Sequence, residues 1–108
     1  MCLSLAAMAG AATISRVSIS SSGTEGNDAS SQPALSDDGR YVAFPSDATN
    51  LVTGDGNGTT DVFLHDMAGG TTTRISVSSA GTEGNGVSNA PAISGDGRYV
   101  AFESRATN

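Results

Sequence analysis

The chain has 108 residues, enough for one small domain, and its 11 Asp and Glu against 5 Lys and Arg give a net charge of −6. Because it has no basic cluster, phosphate backbones and anionic membrane surfaces repel it, which argues against nucleic acid and membrane partners. No run of about 18 apolar residues occurs, so no membrane-spanning helix is expected. The single cysteine, Cys2, cannot form a disulfide within the chain.

The first twelve residues, 1–12, support two interpretations. They are apolar and small, as in a secretory signal, and Ala9-Gly10-Ala11 is a suitable cleavage context, although the basic start of such signals is missing. Alternatively, Leu3–Met8 is a degenerate β-strand, because Met8-Ala9-Gly10 resembles Met67-Ala68-Gly69. Both interpretations stay open at this point.

Residues 13–108 contain an internal repeat of 58 residues. Shifting the chain by that length places Thr13–Asn50 on Thr71–Asn108 without a gap. The matched segments include Gly-Thr-Glu-Gly-Asn at 23–27 and 81–85, and Asp-Gly-Arg-Tyr-Val-Ala-Phe at 38–44 and 96–102. We therefore divide the chain into units 13–70 and 71–108, since a fixed period of this size is typical of repeat architectures.

One full repeat length has the pattern of four antiparallel strands. They are predicted at Pro33–Ser36, Arg40–Ser46, Asp61–Asp66 and Thr72–Ser78, with a tight turn at Asp38-Gly39 that needs positive φ. The middle strands are apolar on both faces, as expected for a sheet between two other sheets. This pattern predicts an all-β fold of β-propeller blades, about two of them, with a β-sandwich of serial hairpins as the alternative.

The segment Pro33–Phe44 resembles the repeat of the TolB-like, WD-repeat-like bacterial propellers, in which Pro-x-φ-Ser-x-Asp-Gly-Lys/Arg precedes an Ile/Val-Ala-Phe strand. Asp61–Asp66 followed by Gly69-Gly70 resembles that family's third strand and turn. The connection Asn50–Thr60 is longer than in the family. The resemblance implies a propeller, commonly six-bladed, in an exported protein of the periplasm or cell exterior, where it makes protein contacts; it does not imply one function.

Six units of this length would need about 350 residues. Naming the blade strands a to d, the chain contains one d strand (Thr13–Ser20), one full blade, and a following a and b (Pro91–Ser104). One interpretation is a fragment of a longer propeller. The other counts Leu3–Met8 as a c strand, so that three copies close a six-bladed homotrimeric ring by joining c-d of one copy to a-b of the next.

Two long loops are expected on one face of such a fold, the d-to-a loop Ser21–Gln32 and the b-to-c loop Asn50–Thr60. The repeated Gly-Thr-Glu-Gly-Asn segment lies in the d-to-a loop and its copy. Its candidate binding residues for a partner are Glu25, Asn27, Glu83 and Asn85. The alternative is structural, with the glycines supplying turn conformations and Asn27 bonding its own backbone.

A calcium loop is a second candidate site. Asp55, Asn57 and Asp61 offer oxygen ligands at alternate positions of the b-to-c loop, as calcium loops do. The glycine and distal glutamate of an EF-hand are missing, so only an isolated structural Ca²⁺ site is considered. The alternative is a solvated turn in which these side chains bond nearby backbone N–H groups. Apart from this ion, no cofactor is predicted.

Catalytic residues are not predicted. His65 is the only histidine and lies on a strand without a placed nucleophile, and no Gly-x-Ser-x-Gly elbow occurs. Arg40 and Arg98 follow the hairpin turn and are expected to pair with Asp38 or a neighbouring carboxylate.

The sequence thus predicts a non-enzymatic propeller module of an exported bacterial protein that presents its loop face to a protein or glycan partner. Two alternatives from other classes remain. The chain is the non-catalytic propeller part of a hydrolase such as a peptidase, or it is a Ca²⁺-dependent, lectin-like glycan binder.

Overall fold

The computed structural model describes residues 3–9 and 11–108, and these form strands, turns and irregular segments. The all-β class is therefore confirmed. The strands are β1 (Ser4–Ala9), β2 (Ala11–Arg16), β3 (Ala34–Leu35), β4 (Tyr41–Ser46), β5 (Asp61–Asp66), β6 (Thr71–Arg74), β7 (Ser88–Ile93) and β8 (Val100–Ser104). They make a four-stranded sheet in the order β3-β4-β5-β6 and two pairs, β1-β2 and β7-β8. None of these sheets closes on itself within the described residues. That part of the chain contains no helix long and apolar enough to cross a membrane.

The first described segment is a hairpin. β1 pairs antiparallel with β2, starting from Ser4 opposite Arg16, and the Val17 N–H donates to the Leu3 carbonyl at 2.9 Å. A strand thus occupies most of the segment for which the sequence favoured either a signal or a degenerate strand. The observed strand, Ser4–Ala9, begins and ends one residue later than the predicted Leu3–Met8.

The four-stranded sheet is an antiparallel meander, and its middle strands match the prediction closely. β5 has the predicted bounds, and β4 begins one residue later than predicted. β6 ends at Arg74 rather than at Ser78. The reason is local, since Ile75 N and Ser76 N both donate to the Val62 carbonyl and Ser76 Oγ accepts the Val62 N–H at 3.1 Å. A serine side chain therefore takes the place of the next backbone acceptor.

The tight turn between β3 and β4 has the predicted conformation. Gly39 has a φ of 72°, in the left-handed region that glycine adopts without strain. Its equivalent in the second unit, Gly97, has a φ of 74°. In both turns a serine hydroxyl donates to the aspartate at 2.7 Å, Ser36 to Asp38 and Ser94 to Asp96. The repeat in sequence is thus a repeat in structure.

One apolar core joins the β1-β2 hairpin to the four-stranded sheet. It contains Phe44 and Phe63, whose ring centroids are 6.0 Å apart, and the buried side chains Leu3, Val17, Val42, Ala48 and Leu51. The alternation predicted for β4 explains this packing, because Val42 and Phe44 lie on the same face of the strand. Ala43, on the opposite face, is also buried, and β7 packs against β4. Both faces of β4 are therefore covered, as the sequence predicted.

A seam of backbone hydrogen bonds joins the four-stranded sheet to the β7-β8 pair. Asp37 N donates to the Gly95 carbonyl at 2.9 Å, and Ser88 N donates to the Thr60 carbonyl at 2.8 Å. The approach at Gly95 is close, because a Cβ atom there would lie 2.4 Å from Asp37 Oδ2. Asp37 and Gly95 occupy equivalent positions of the repeat. The two units therefore differ in sequence at a position where they pack against each other.

Candidate functional site

The two long loops lie at the same end of the sheet and enclose a groove. The b-to-c loop connects the end of β4 to the start of β5, and the d-to-a loop leads into the start of β3, so antiparallel pairing brings both to one end. The groove has a volume of about 600 Å³. Its lining comes from both loops and from β6, with Ser20, Ser21, Ser22, Thr24, Asn50, Leu51, Val52, Thr53 and Thr72.

One wall of the groove is a compact serine-rich turn. Ser20 N donates to the Thr24 carbonyl at 2.8 Å, and Ser20 Oγ accepts the Thr24 N–H at 3.1 Å. Ser21 Oγ accepts the Thr72 N–H at 2.9 Å, which fixes the turn against β6. Hydrogen bonds to backbone N–H groups therefore fix the positions of the Ser20 and Ser21 hydroxyl groups at this wall.

The other wall is the start of the b-to-c loop. Leu51 is buried in the core, which anchors the wall, while the Thr53 side chain is exposed. Asn50 Oδ1 accepts the Asn27 N–H at 3.0 Å, and its Nδ2 donates to the Glu25 carbonyl at 2.9 Å. The lining consequently offers hydroxyl, amide and aliphatic groups, and it contains neither a charged side chain nor an aromatic ring.

The candidate binding residues Asn27 and Asn85 bond to the segments that follow β4 and β8. Asn27 Oδ1 accepts the Thr49 N–H at 2.9 Å, and Asn27 Nδ2 donates to Thr49 Oγ1 at 2.9 Å. Asn85 makes the same two bonds with Thr107, at 2.8 and 2.9 Å. The sequence expected a bond to the residue's own local backbone as the structural alternative. The structure has instead a bond across the loop, which holds the groove walls in register.

The candidate residues Glu25 and Glu83 are each paired with an arginine nine positions before them. Arg16 Nη1 contacts Glu25 Oε2, and both side chains are exposed. Arg74 Nη1 contacts Glu83 Oε2 at 3.0 Å. Glu83 Oε2 also accepts the Gly56 N–H at 3.1 Å, so this pair also links the two units.

The candidate calcium ligands surround a guanidinium. Arg74 Nη1 lies 3.5 Å from Asp55 Oδ1 and 3.9 Å from Asp61 Oδ2. The Arg74, Asp55 and Asp61 side chains are 11%, 3% and 0% exposed. Burial, together with the neighbouring Asp61 carboxylate, raises the pKa of Asp55 above its ordinary value. The Arg74 charge opposes this effect and compensates the buried carboxylates.

Asn57 completes this cluster through its amide. Asn57 Nδ2 donates to Asp61 Oδ2 at 2.8 Å and to the Gly84 carbonyl at 2.8 Å, and Asn57 Oδ1 accepts the Thr59 N–H at 3.0 Å. Within residues 3–9 and 11–108, no group of three or more His, Cys, Asp or Glu side chains has the arrangement of a metal site. Calcium binding through Asp55, Asn57 and Asp61 stays a prediction.

His65 is buried on β5, where its ring contacts Thr72 of β6. Thr72 Oγ1 donates its hydrogen to the Ile19 carbonyl at 2.5 Å, so the 2.8 Å contact between His65 Nδ1 and Thr72 Oγ1 requires the proton on Nδ1. Burial lowers the pKa of His65 below its ordinary value, and the Asp66 charge opposes this only in part. The ring therefore acts as a neutral hydrogen-bond donor between strands.

The predicted site residues fall into three places. Glu83, Asp55, Asn57 and Asp61 meet around Arg74, Glu25 and Asn27 lie beside the groove, and Asn85 is bonded to Thr107 after β8. Sequence reasoning missed the role of Arg74 and the serine-rich wall. The sequence did contain a pattern that indicates the arginine–glutamate pair, since Arg16 and Glu25 have the same spacing as Arg74 and Glu83. Arg40 pairs with Asp66 in two bonds of 3.0 Å, so the carboxylate it pairs with is on a neighbouring strand and not Asp38.

Comparison of the chain with protein-family models, curated proteins and solved structures gives no match.

Proposed function

We propose that this chain is a non-enzymatic β-propeller module that binds an extended, uncharged segment of a partner protein in the groove between its two long loops. The observation that carries the proposal is the groove itself, a depression of about 600 Å³ with hydroxyl, amide and aliphatic lining at the loop end of the sheet. Binding sites are usually found in concave surfaces of this kind, formed by loops on a rigid scaffold.

The chemistry of the lining favours a protein segment over a glycan. Backbone N–H and C=O groups of an extended peptide can bond to the serine and threonine hydroxyls, and small apolar side chains can contact Val52, which is half-buried. The lining lacks an aromatic ring on which a sugar could stack. The net charge of −6 disfavours acidic partners, so a neutral or basic protein is the expected partner.

The propeller architecture is part of this proposal. Its support is the consecutive order β3-β4-β5-β6, together with partial copies of that sheet before and after it in the chain. The resemblance of Pro33–Phe44 to the TolB-like repeat supports it from the sequence, and also supports export to the periplasm or cell exterior. Four-stranded antiparallel sheets repeated along a chain are the building blocks of propellers.

A groove-blocking variant tests the binding proposal. Panning a displayed library of random peptides on the 108-residue chain should enrich uncharged peptides. The enriched peptides should bind Thr53→Arg at least about tenfold more weakly, because an arginine at this exposed position fills the groove and adds a charge. Ala68→Arg is the matched control, since Ala68 is exposed in the turn between β5 and β6, at the opposite end of the sheet.

Two results would contradict the proposal. Peptides that bind Thr53→Arg and Ala68→Arg equally well would show that the groove is not the site. A glycan array that selects a sugar whose binding Thr53→Arg abolishes, with no peptide enriched, would replace the protein partner by a glycan.

A further inference from the structure

The same sequence is buried in the first unit and uncovered in the second. Phe44 is 0% exposed and Val42 is 2% exposed in β4, which lies between β3 and β5. Tyr99 is 67% exposed, Ala101 is exposed, and Val100 and Phe102 are half-buried. β8 pairs only with β7 among the described residues, so one edge of β8 and much of its apolar surface lack the cover that β4 receives.

The cover that β4 receives on that edge is β5. The pairing places Tyr41 opposite Asp66 and Phe44 opposite Phe63. The shift of 58 residues makes β8 the equivalent of β4. A strand that covers this edge of β8 in the same way is equivalent to β5 and runs antiparallel to β8.

β1 is the strand with the geometry of β5. Val17 N donates to the Leu3 carbonyl at 2.9 Å, just as Ile75 N donates to the Val62 carbonyl at 2.8 Å. Ser4 lies opposite Arg16 as Phe63 lies opposite Arg74. β2 thus repeats β6 in the 58-residue register, and β1 repeats β5 with an offset of one residue from it. Within the described residues the other edge of β1 has no strand neighbour.

We propose that the 108-residue chain assembles with copies of itself by pairing β8 of one copy with β1 of the next, and that three copies close into a ring. In this joint Tyr99 lies opposite Ala7 of the next copy and Phe102 opposite Ser4. β7, β8 and the next copy's β1 and β2 then form a sheet with the order of β3 to β6. The proposal rests on the propeller architecture proposed above.

The kind of joint permits a closed ring. Pairing of β8 with β1 is head-to-tail, and such contacts form either closed rings or open filaments. Each copy supplies two blades' worth of strands, so rings of the blade numbers found in propellers contain two to four copies. Three copies make the six blades that the repeat resemblance implies. A closed ring pairs the outer edges of β1 and β8, and the strand edges that remain in a propeller are short and protected.

Light scattering of the purified chain tests the assembly. The expected mass is three times the 10.7 kDa of one chain, in a single species. Val100→Pro should give a folded monomer, because its N–H points away from β7 by equivalence with Val42, and proline removes that donor. Circular dichroism of the variant checks that strand content is retained. A monomeric wild type, or a filament of indefinite length, would overturn the proposal.

Engineered disulfides test the register independently of mass. In a Cys2→Ser background, Tyr99→Cys with Ala7→Cys should form an intermolecular disulfide on oxidation and give covalent species up to a trimer. The matched control is Tyr99→Cys with Ala6→Cys, since a shift of one residue moves the second thiol to the opposite face of the sheet. Equal cross-linking of both variants would contradict the proposed pairing. Both assays are independent of groove occupancy, so a failed assembly can be distinguished from failed peptide binding.

Discussion

Among single residues, Arg74 is one whose substitution would disrupt contacts with three carboxylates. Its guanidinium lies among Asp55, Asp61 and Glu83, which belong to the b-to-c loop, to β5 and to the loop of the following unit. The equivalent Arg16 has one exposed partner, Glu25. Equivalent positions of a repeat can thus contribute unequally to the free energy of unfolding, because removing one partner of a buried ion pair destabilises the fold more than removing one partner of an exposed pair.

Replacing Arg74 by methionine should lower the free energy of unfolding by about 3 kcal/mol, since it leaves buried carboxylates without a compensating charge. Arg16→Met at the equivalent position should cost less than about 1 kcal/mol. Urea denaturation of the two variants measures the difference. Equal losses would mean that the carboxylates around Arg74 are compensated by other groups.

Stability should fall as the pH drops below the ordinary histidine pKa of 6.5. Burial lowers the pKa of His65 in the folded chain, so the unfolded chain binds a proton first, and stability is lost until the folded-state pKa is reached. Thermal melts across this pH range measure the effect. His65→Gln should flatten the profile, and an unchanged slope in that variant would assign the effect to another group.

Between elements, the seam of β7 with the four-stranded sheet depends on small residues. A Cβ atom at Gly95 would lie 2.4 Å from Asp37 Oδ2, and one at Gly97 would lie 2.4 Å from Cδ2 of Tyr41. The aspartate of the first unit thus faces a glycine in the second. This asymmetry is a property of the contact and cannot be deduced from either unit separately.

Gly95→Asp makes the two units more alike in sequence and should nevertheless destabilise the chain by about 1–3 kcal/mol, because the new side chain meets Asp37. The double variant Asp37→Gly, Gly95→Asp should recover most of the loss, since the three atoms nearest to a Cβ at Gly95 all belong to Asp37. Chemical denaturation of the single and double variants forms the test. A double variant as unstable as the single one would place the strain elsewhere.

For the whole molecule, charge and open strand edges act in opposite directions. Each copy has a net charge of −6, which repels other copies, while the outer edges of β1 and β8 favour association. The balance depends on ionic strength, because the distance over which charges interact falls from about 30 Å at 0.01 M to about 10 Å at 0.1 M salt.

The proposed trimer should therefore dissociate more readily at low ionic strength. Sedimentation equilibrium of the wild-type chain at several salt concentrations measures the association constant. We expect it to rise with added sodium chloride and then to level off. A constant that falls with salt would mean that attractive ion pairs, rather than backbone pairing, hold the copies together.

Whether a feature of the fold could be predicted from the sequence depends on how far apart in the chain the interacting residues lie. The bounds of β5, the turn at Gly39 and the burial of Val42 and Phe44 were predicted, because strand alternation and turn chemistry are local. The early end of β6 was not, since it follows from a bond between the Ser76 side chain and Val62. Among the site residues, the loop positions of Glu25 and Asn27 were predictable, but their partners were not.

The sequence by itself determined the repeat, the all-β class and the order of the strands along the chain. The repeat is read by comparing the sequence with itself, and the strands are read from local alternation of apolar residues and from turn residues. Only the tertiary structure decided that Arg74 lies among the acidic side chains, that Asn27 bonds to Thr49, and that serines from one loop face Thr53 from another. These contacts join residues of distant segments, and their geometry exists only once the sheets have packed.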